Sequence, residues 1–104
     1  MQEILEEFLE SIDCPVICEG RRDAEALTQL GVEDIVVLNK GQSLLETVEA
    51  LQDYDEVIIL TDMDQQGKIL RKKLIRKFNL YGIREKKRPR ELFAQLRLSH
   101  VEGL

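Results

Sequence analysis

Two aspartates, Asp62 and Asp64, come directly after a short run of apolar residues at 57–60. The run reads VIIL, and its β-branched composition predicts a strand buried on both faces, as in a parallel sheet. Open α/β sheets bind ligands beyond the carboxyl ends of their strands, which is where these carboxylates would lie. Because alternate residues of an extended segment point the same way, both carboxylates can bind one cation. Ligands that are all oxygen favour Mg²⁺ or Mn²⁺.

The same pair also has a purely structural interpretation. Asp64 can cap the helix that follows, and Asp62 can be a solvated turn residue. Two carboxylates about 4 Å apart repel each other by roughly 4 kcal/mol at an effective dielectric constant near 20. A site that holds both carboxylates therefore needs a proton or a cation. Other residues are needed to distinguish a metal site from a helix cap.

A third acid, Glu19, ends the first predicted strand and is followed by Gly20. The nearby Asp23 can cap the next helix or favour the positive end of its dipole. If the first and third strands are neighbours, as at the switch point of a doubly wound sheet, Glu19 meets Asp62 and Asp64. Three acids on neighbouring strand ends favour a metal site over a helix cap.

The elements that must position these acids alternate along the chain. The predicted strands are 15–19, 34–38 and 57–60, and helical periodicity marks 2–11, the segments after the first two strands, and 65–79. With right-handed crossovers, this order predicts an α/β fold: a three-layer, open parallel sheet of about four strands with helices on both faces. Residues 81–83 are predicted as a turn or a short fourth strand, 90–98 as a helix and 99–104 as an edge strand.

The length of 104 residues predicts one domain. We divide it into an N-terminal helix at 1–13, a core at 14–80 and a basic C-terminal extension at 81–104. No apolar run approaches the roughly 20 residues of a membrane span, and the acidic N-terminus lacks a signal-peptide core. We therefore expect a cytoplasmic protein with no membrane partner. Cys14 and Cys18 are predicted as free thiols, and His100 as a surface or edge residue.

Charge is divided unevenly along the sequence. Residues 1–66 carry 17 acidic and 3 basic side chains, whereas residues 67–104 carry 3 acidic and 12 basic ones. A basic half beside an acidic metal site is compatible with a phosphate backbone, while the two halves could equally complement each other within the fold. The candidate phosphate-binding side chains are Arg21, Arg22, Lys40, Lys68, Arg71 and Lys72. The segment at 84–90 would follow a nucleic-acid backbone beside them.

Two motifs, CEGRRD at 18–23 and TDMDQQGK at 61–68, resemble the two signatures of the Toprim domain. Topoisomerases, bacterial-type primases, DNA repair proteins and nucleases, including ribosomal-RNA maturation ribonucleases, share this domain. The resemblance covers about residues 14–80. The positions that match residue by residue are Glu19, Gly20, Asp62, Asp64 and Gly67.

The resemblance implies roles for these residues. Glu19 would act as general acid or base beside the metal, and Asp62 and Asp64 would hold Mg²⁺. Gly20, Asp23 and Gly67 would support them, since the absent side chain of Gly67 lets its helix approach the sheet or a ligand closely.

These observations favour Mg²⁺-dependent phosphoryl transfer on RNA or DNA, most simply nuclease cleavage. The alternative is a non-catalytic module that binds nucleic acid or protein within a complex, with a protein partner or a second copy of the chain. A phospho-acceptor receiver domain or a haloacid-dehalogenase phosphatase fits less well. Those folds place an acid pair after the first strand, whereas here the pair follows the third.

Overall fold

The computed structural model describes residues 2–38 and 41–102, with side chains up to residue 97. Helices and strands alternate through most of the chain, in the order expected of an α/β protein. The elements are α1 (Gln2–Glu10), β1 (Val16–Cys18), α2 (Arg21–Leu30), β2 (Ile35–Val37), α3 (Leu44–Ala50), β3 (Glu56–Ile59), α4 (Gln65–Leu80), β4 (Arg84–Glu85) and α5 (Arg88–Glu102).

The strands form one parallel sheet in the order β2-β1-β3-β4. Val16 of β1 pairs with Ile35 on one side and with Ile58 on the other, so β1 and β3 are central neighbours. The predicted open parallel sheet of four strands is confirmed. So is the predicted adjacency of the first and third strands, which brings the ends of β1 and β3 together.

The sheet is covered on both faces because consecutive strand residues point to opposite sides. One face packs against α1, α2 and α5, and the other packs against α3 and α4. The buried side chains of the first face are Phe8, Val16, Cys18, Leu27, Val32, Ile58, Leu60 and Leu92. Those of the second face are Ile17, Val48, Leu51, Val57, Ile59, Leu74, Phe78 and Ile83.

The C-terminal part agrees with the sequence-based expectation in one place and differs in another. Of the two alternatives for 81–83, the turn is realised, with Gly82 in a left-handed conformation at φ 72°, and the fourth strand follows it at Arg84. The edge strand expected at 99–104 is wrong for residues 99–102, which continue α5, while 103 and 104 lie outside the described residues. No Gly or Pro interrupts the sequence between Pro89 and residue 103, so nothing in it ends the helix earlier.

The segment beyond residue 80 packs as part of the sheet and core. The Arg84 N–H donates to the Asp55 carbonyl at 2.9 Å, and the Lys86 N–H donates to the Val57 carbonyl at 2.8 Å. Ile83 is buried in the core as well. The division of the chain at residues 13 and 80 stays a prediction.

Two minor expectations concern the thiols and the membrane. Cys14 is partly buried, Cys18 is buried, and both are free thiols. Among the described residues, no helix is long and apolar enough to span a membrane.

Candidate functional site

Glu19 and Asp62 meet at the carboxyl ends of β1 and β3. The ladder between the two strands ends where the Leu60 N–H donates to the Ile17 carbonyl at 2.7 Å. Just beyond that bond, the Asp62 N–H donates to Glu19 Oε2 at 2.6 Å. The carboxylate of the first motif is therefore bonded directly to the backbone of the second motif.

Asp64 is the N-cap of α4. Its Oδ1 accepts a hydrogen bond from the Gly67 N–H at 2.8 Å, and its backbone has the extended conformation typical of a cap. The structural interpretation of Asp64 as a helix cap is thus realised in this conformation. A cap bond occupies one carboxylate oxygen, so it leaves the second oxygen of Asp64 for another ligand.

Glu19, Asp62 and Asp64 do not converge on one point. Within the described ranges, no three His, Cys, Asp or Glu side chains are arranged to hold a metal ion. Glu19 and Asp64 each use one oxygen on a backbone N–H, and the Asp62 side chain is 49% exposed. A cation held by all three would require Asp62 and Asp64 to turn toward Glu19.

The chemistry of these donors nevertheless fits a hard divalent cation. All of them are carboxylate oxygens, which Mg²⁺ and Mn²⁺ prefer. The pKa of Glu19 is raised, first because the carboxyl group is partly buried, and also because Asp62 and Asp64 place negative charge beside it. The hydrogen bond from the Asp62 N–H acts in the opposite direction. A cation near Glu19 would relieve the repulsion among the three groups.

Gly67 lets α4 pack directly on the loop that carries the acids. A Cβ atom at this position would lie 1.9 Å from the Asp62 carbonyl oxygen. The contact is held from the other side by Thr61, whose hydroxyl donates to the Gly67 carbonyl at 2.8 Å. Gly67 thus has the role expected from the sequence, a close approach of the helix, and what it approaches is backbone.

The first motif has a similar but looser arrangement. Gly20 is the N-cap of α2, and its N–H donates to Asp23 Oδ2 at 3.3 Å. Asp23 therefore accepts one of the N–H groups at the start of α2, a helix-capping role that the sequence allowed it. A Cβ atom on Gly20 would meet only Asp23 Oδ2, at 3.8 Å.

Arg90 is a part of the site that the sequence did not single out. It is 8% exposed, and Nη1 donates to the carbonyls of Ile59 and Thr61 at 3.0 and 2.9 Å. Nη2 donates to the Asp62 carbonyl at 3.2 Å. Burial lowers the pKa of the guanidinium, and the positive charge of Arg71 lowers it further. Arg90 thus fixes the backbone of β3 and of its exit loop.

Replacing Arg90 by methionine is expected to lower the free energy of unfolding by about 2–3 kcal/mol. The substitution keeps an apolar stem of similar length but leaves buried carbonyls of Ile59 and Thr61 without this donor. Urea unfolding followed by circular dichroism would measure the loss. Arg88→Met is the matched control, since Arg88 forms a half-exposed ion pair with Glu7, and such pairs contribute little to stability. Equal losses in the two variants would contradict the structural role of Arg90.

The candidate phosphate-binding residues differ in how far their side chains are free to bind a ligand. Arg21 and Arg22 are exposed in the first turn of α2, and Lys68 and Lys72 are exposed on α4. Arg71 instead forms a bidentate ion pair with Glu85, with Nε–Oε2 and Nη2–Oε1 distances of 2.5 and 2.6 Å. Lys40 lies outside the described residues.

Much of the basic segment at 84–90 is engaged within the fold. Lys86 pairs with Asp13, Arg88 pairs with Glu7, and Arg90 is buried against β3. For these side chains the alternative interpretation holds, in which the acidic and basic halves of the chain complement each other. The segment is therefore less free to follow a nucleic-acid backbone than its sequence suggests.

Arg97 is a second basic residue at the site that sequence reasoning missed. Its guanidinium lies over the ring of Phe93, 5.9 Å from the ring centre, and Nη1 is 4.0 Å from Asp62 Oδ1. Helical periodicity could have indicated Arg97, because Arg90, Phe93 and Arg97 are three or four residues apart and so lie on the same face of α5.

Comparison with known proteins identifies related sequences and a related fold. The Toprim domain family model matches residues 14–96. A UPF0292 protein of Methanocaldococcus jannaschii is 39% identical over 85 residues, which are 79% of this chain and 66% of that protein. A UPF0292 protein of Pyrococcus horikoshii is 32% identical over 99 residues, which are 92% of this chain and 75% of that protein.

A solved structure of a protein from Aquifex aeolicus has the same fold. It superposes with a TM-score of 0.79 at 22% sequence identity, covering 100% of this chain and 97% of that one. The likeness extends over the whole chain, so the two proteins share the fold.

Proposed function

This chain belongs to the Toprim domain family, and from that premise we propose that it catalyses Mg²⁺-dependent phosphoryl transfer on nucleic acid, most simply nuclease cleavage. Membership in this family supports a function that involves a metal ion and nucleic acid. The observation that supports catalysis is the bond between Glu19 and the Asp62 N–H, which holds a partly buried carboxyl group of raised pKa beside two further carboxylates.

Each carboxylate has a distinct role in this proposal. Glu19 moves a proton to or from the oxygen that attacks or leaves phosphorus, because its raised pKa suits exchange nearer to neutral pH. Asp62 and Asp64 hold Mg²⁺ or Mn²⁺, which when bound supplies positive charge for a phosphate oxygen. The hydrogen bond from the Asp62 N–H keeps Glu19 in place while it acts.

The alternative is a module that binds nucleic acid or protein without catalysis, within a complex or as a homodimer. It is favoured by the structural roles of the same acids, since Glu19 joins two strand ends and Asp64 caps α4. The matched region spans 66% of the Methanocaldococcus relative, so a partner or a further segment could complete an activity.

A cleavage assay separates the two functions. Labelled single-stranded, double-stranded and structured RNA and DNA would be incubated with the protein and Mg²⁺, Mn²⁺ or a chelator. We expect metal-dependent cleavage that the chelator abolishes and that Asp62→Asn lowers at least about tenfold, since it removes one ligand charge. Asp53→Asn, an exposed substitution before β3, is the matched control and should cleave as the wild type does.

Two outcomes would reject catalysis. One is binding of nucleic acid without cleavage under any metal condition, which favours the module. The other is cleavage that persists in chelator and in Asp62→Asn, which would mean that the activity does not come from this site.

A further inference from the structure

A cavity of about 250 Å³ opens beside the loop that carries the two aspartates. Met63, which lies between Asp62 and Asp64 in sequence, forms one wall. Lys68, Ile69 and Lys72 of α4 form another wall, and Arg90 of α5 closes it. The cavity therefore adjoins the candidate metal site without containing its carboxylates.

The charge of this cavity is not balanced within the fold. Lys68 and Lys72 are one helical turn apart and exposed, and no carboxylate of the described residues lies within ion-pair distance of either. Arg90 is buried, donates to carbonyls and a hydroxyl, and its charge already interacts with those of Glu85, Glu19 and Asp62. Arg71 is neutralised by Glu85. The positive charges of Lys68 and Lys72 thus remain for an anionic ligand.

The cavity also has an apolar surface between the lysines. Ile69 is 46% exposed, although it lies on a helix whose other apolar residues mostly face the core. Together with Met63 it offers a contact for an unstacked base, which a free phosphate ion would not use. No aromatic side chain lines the cavity, so it has no ring on which a base could stack.

We propose that this cavity binds one nucleotide of a single-stranded nucleic acid, next to the nucleotide at the carboxylates. The flanking phosphates contact Lys68 and Lys72, and the base lies against Ile69 and Met63. A duplex presents its phosphates but keeps its bases stacked, so its bases cannot reach the apolar surface.

This inference rests on the proposed relation to nucleic acid and is tested by binding, in chelator, so that neither metal nor cleavage enters. The probes are fluorescent single-stranded DNA and RNA oligonucleotides and a duplex, titrated by anisotropy at several salt concentrations. The double variant Lys68→Gln/Lys72→Gln should bind single strands at least tenfold more weakly at 0.1 M salt. Its salt slope should fall by about 1.4, the value for two lost phosphate contacts on a single strand.

A matched control lies on the same helix. Lys73→Gln/Lys77→Gln removes the same charge at the same spacing, from side chains that line a separate groove between α3 and α4. We expect this variant to lose less than twofold in affinity and to keep the salt slope. Equal losses in the two double variants would show that α4 attracts nucleic acid only by its overall charge, and would overturn the subsite.

The apolar surface has its own test. Ile69→Thr should weaken single-stranded binding about fivefold and leave duplex binding unchanged, because only an unstacked nucleotide reaches the side chain. Leu80→Thr, at an exposed position of the same helix, is the control and should change neither. An Ile69→Thr effect of equal size on duplex and single strand would overturn the proposed contact.

Failure of the subsite and failure of catalysis are distinguishable. If the two lysine double variants differ in affinity as expected but no cleavage is seen, the subsite is supported and the protein is a binding module. If the protein cleaves but the two double variants bind alike, catalysis stands and the subsite is wrong. Comparing the DNA and RNA arms identifies which single strand the subsite holds more tightly.

Discussion

Gly67→Ala is expected to lower the free energy of unfolding by at least about 3 kcal/mol, and to prevent folding if the core cannot adjust. The new Cβ atom would lie 1.9 Å from the Asp62 carbonyl oxygen, and backbone cannot rotate away as a side chain can. Relief requires α4 to move off the sheet or the loop to shift. Either movement weakens the bonds that Thr61 and Arg90 make to this region.

The same substitution at Gly20 is the matched control. There the Cβ atom would meet only the end of the Asp23 side chain at an ordinary contact distance. We expect Gly20→Ala to cost about 1 kcal/mol or less, the usual difference between glycine and alanine at an N-cap. Urea unfolding of both variants would measure the contrast. A Gly67→Ala protein as stable as Gly20→Ala would mean that α4 does not pack on the Asp62 backbone as described.

The second large effect is on the rate. Glu19→Gln should reduce the proposed cleavage by roughly 10²–10⁴-fold, the contribution typical of a positioned acid or base. The variant should keep its fold, because the glutamine oxygen can still accept the hydrogen bond from the Asp62 N–H. Loss of activity would then separate proton transfer by Glu19 from its role in joining β1 to β3.

The pH dependence of the free energy of unfolding tests the Glu19→Gln variant independently of its activity. Partial burial, and then the nearby Asp62 and Asp64, raise the pKa of Glu19, so the folded state keeps this proton to higher pH than the unfolded state does. As the pH rises from the ordinary glutamate pKa through the raised one, the unfolded state loses its proton first, and the free energy of unfolding falls. Glu19→Gln removes that fall, so above this window it should gain stability relative to the wild type.

Urea midpoints measured between pH 4 and 8, together with cleavage rates, would check both statements. Glu25→Gln, at an exposed position of α2, controls for the loss of one negative charge. A Glu19→Gln protein that cleaves within a few-fold of the wild type would reject proton transfer by Glu19. A variant that is inactive but also unfolds more easily at neutral pH would point to a structural role instead.

Much of the arrangement around Glu19 could be predicted because it depends on strand order. Alternation of apolar runs with helical segments predicts the parallel sheet, and adjacency of its first and third strands brings Glu19 to Asp62. Local signals also predict the helix that Asp64 caps. The orientation of the carboxylates does not follow from strand order, since a carboxylate at a strand end can accept a nearby N–H or turn to a cation.

Contacts between distant segments could not be predicted in the same way. Arg90 stands in a basic stretch that looks solvated, and only the packing of α5 buries it against β3. Arg71 and Glu85 are 14 residues apart, and the short strand β4 decides that they meet. That strand is itself hard to foresee, because Arg84 and Glu85 have no strong preference for strands and pair through their backbone.

The position of Arg90 also has a consequence for biosynthesis. The carbonyl of Asp62 receives its guanidinium partner from a residue 28 positions later in the chain. During translation, β1, β2 and β3 leave the ribosome before that residue does, so the exit loop of β3 must wait for it. The bonds from Arg90 to the carbonyls of Thr61 and Asp62 form only after α5 has docked on the sheet.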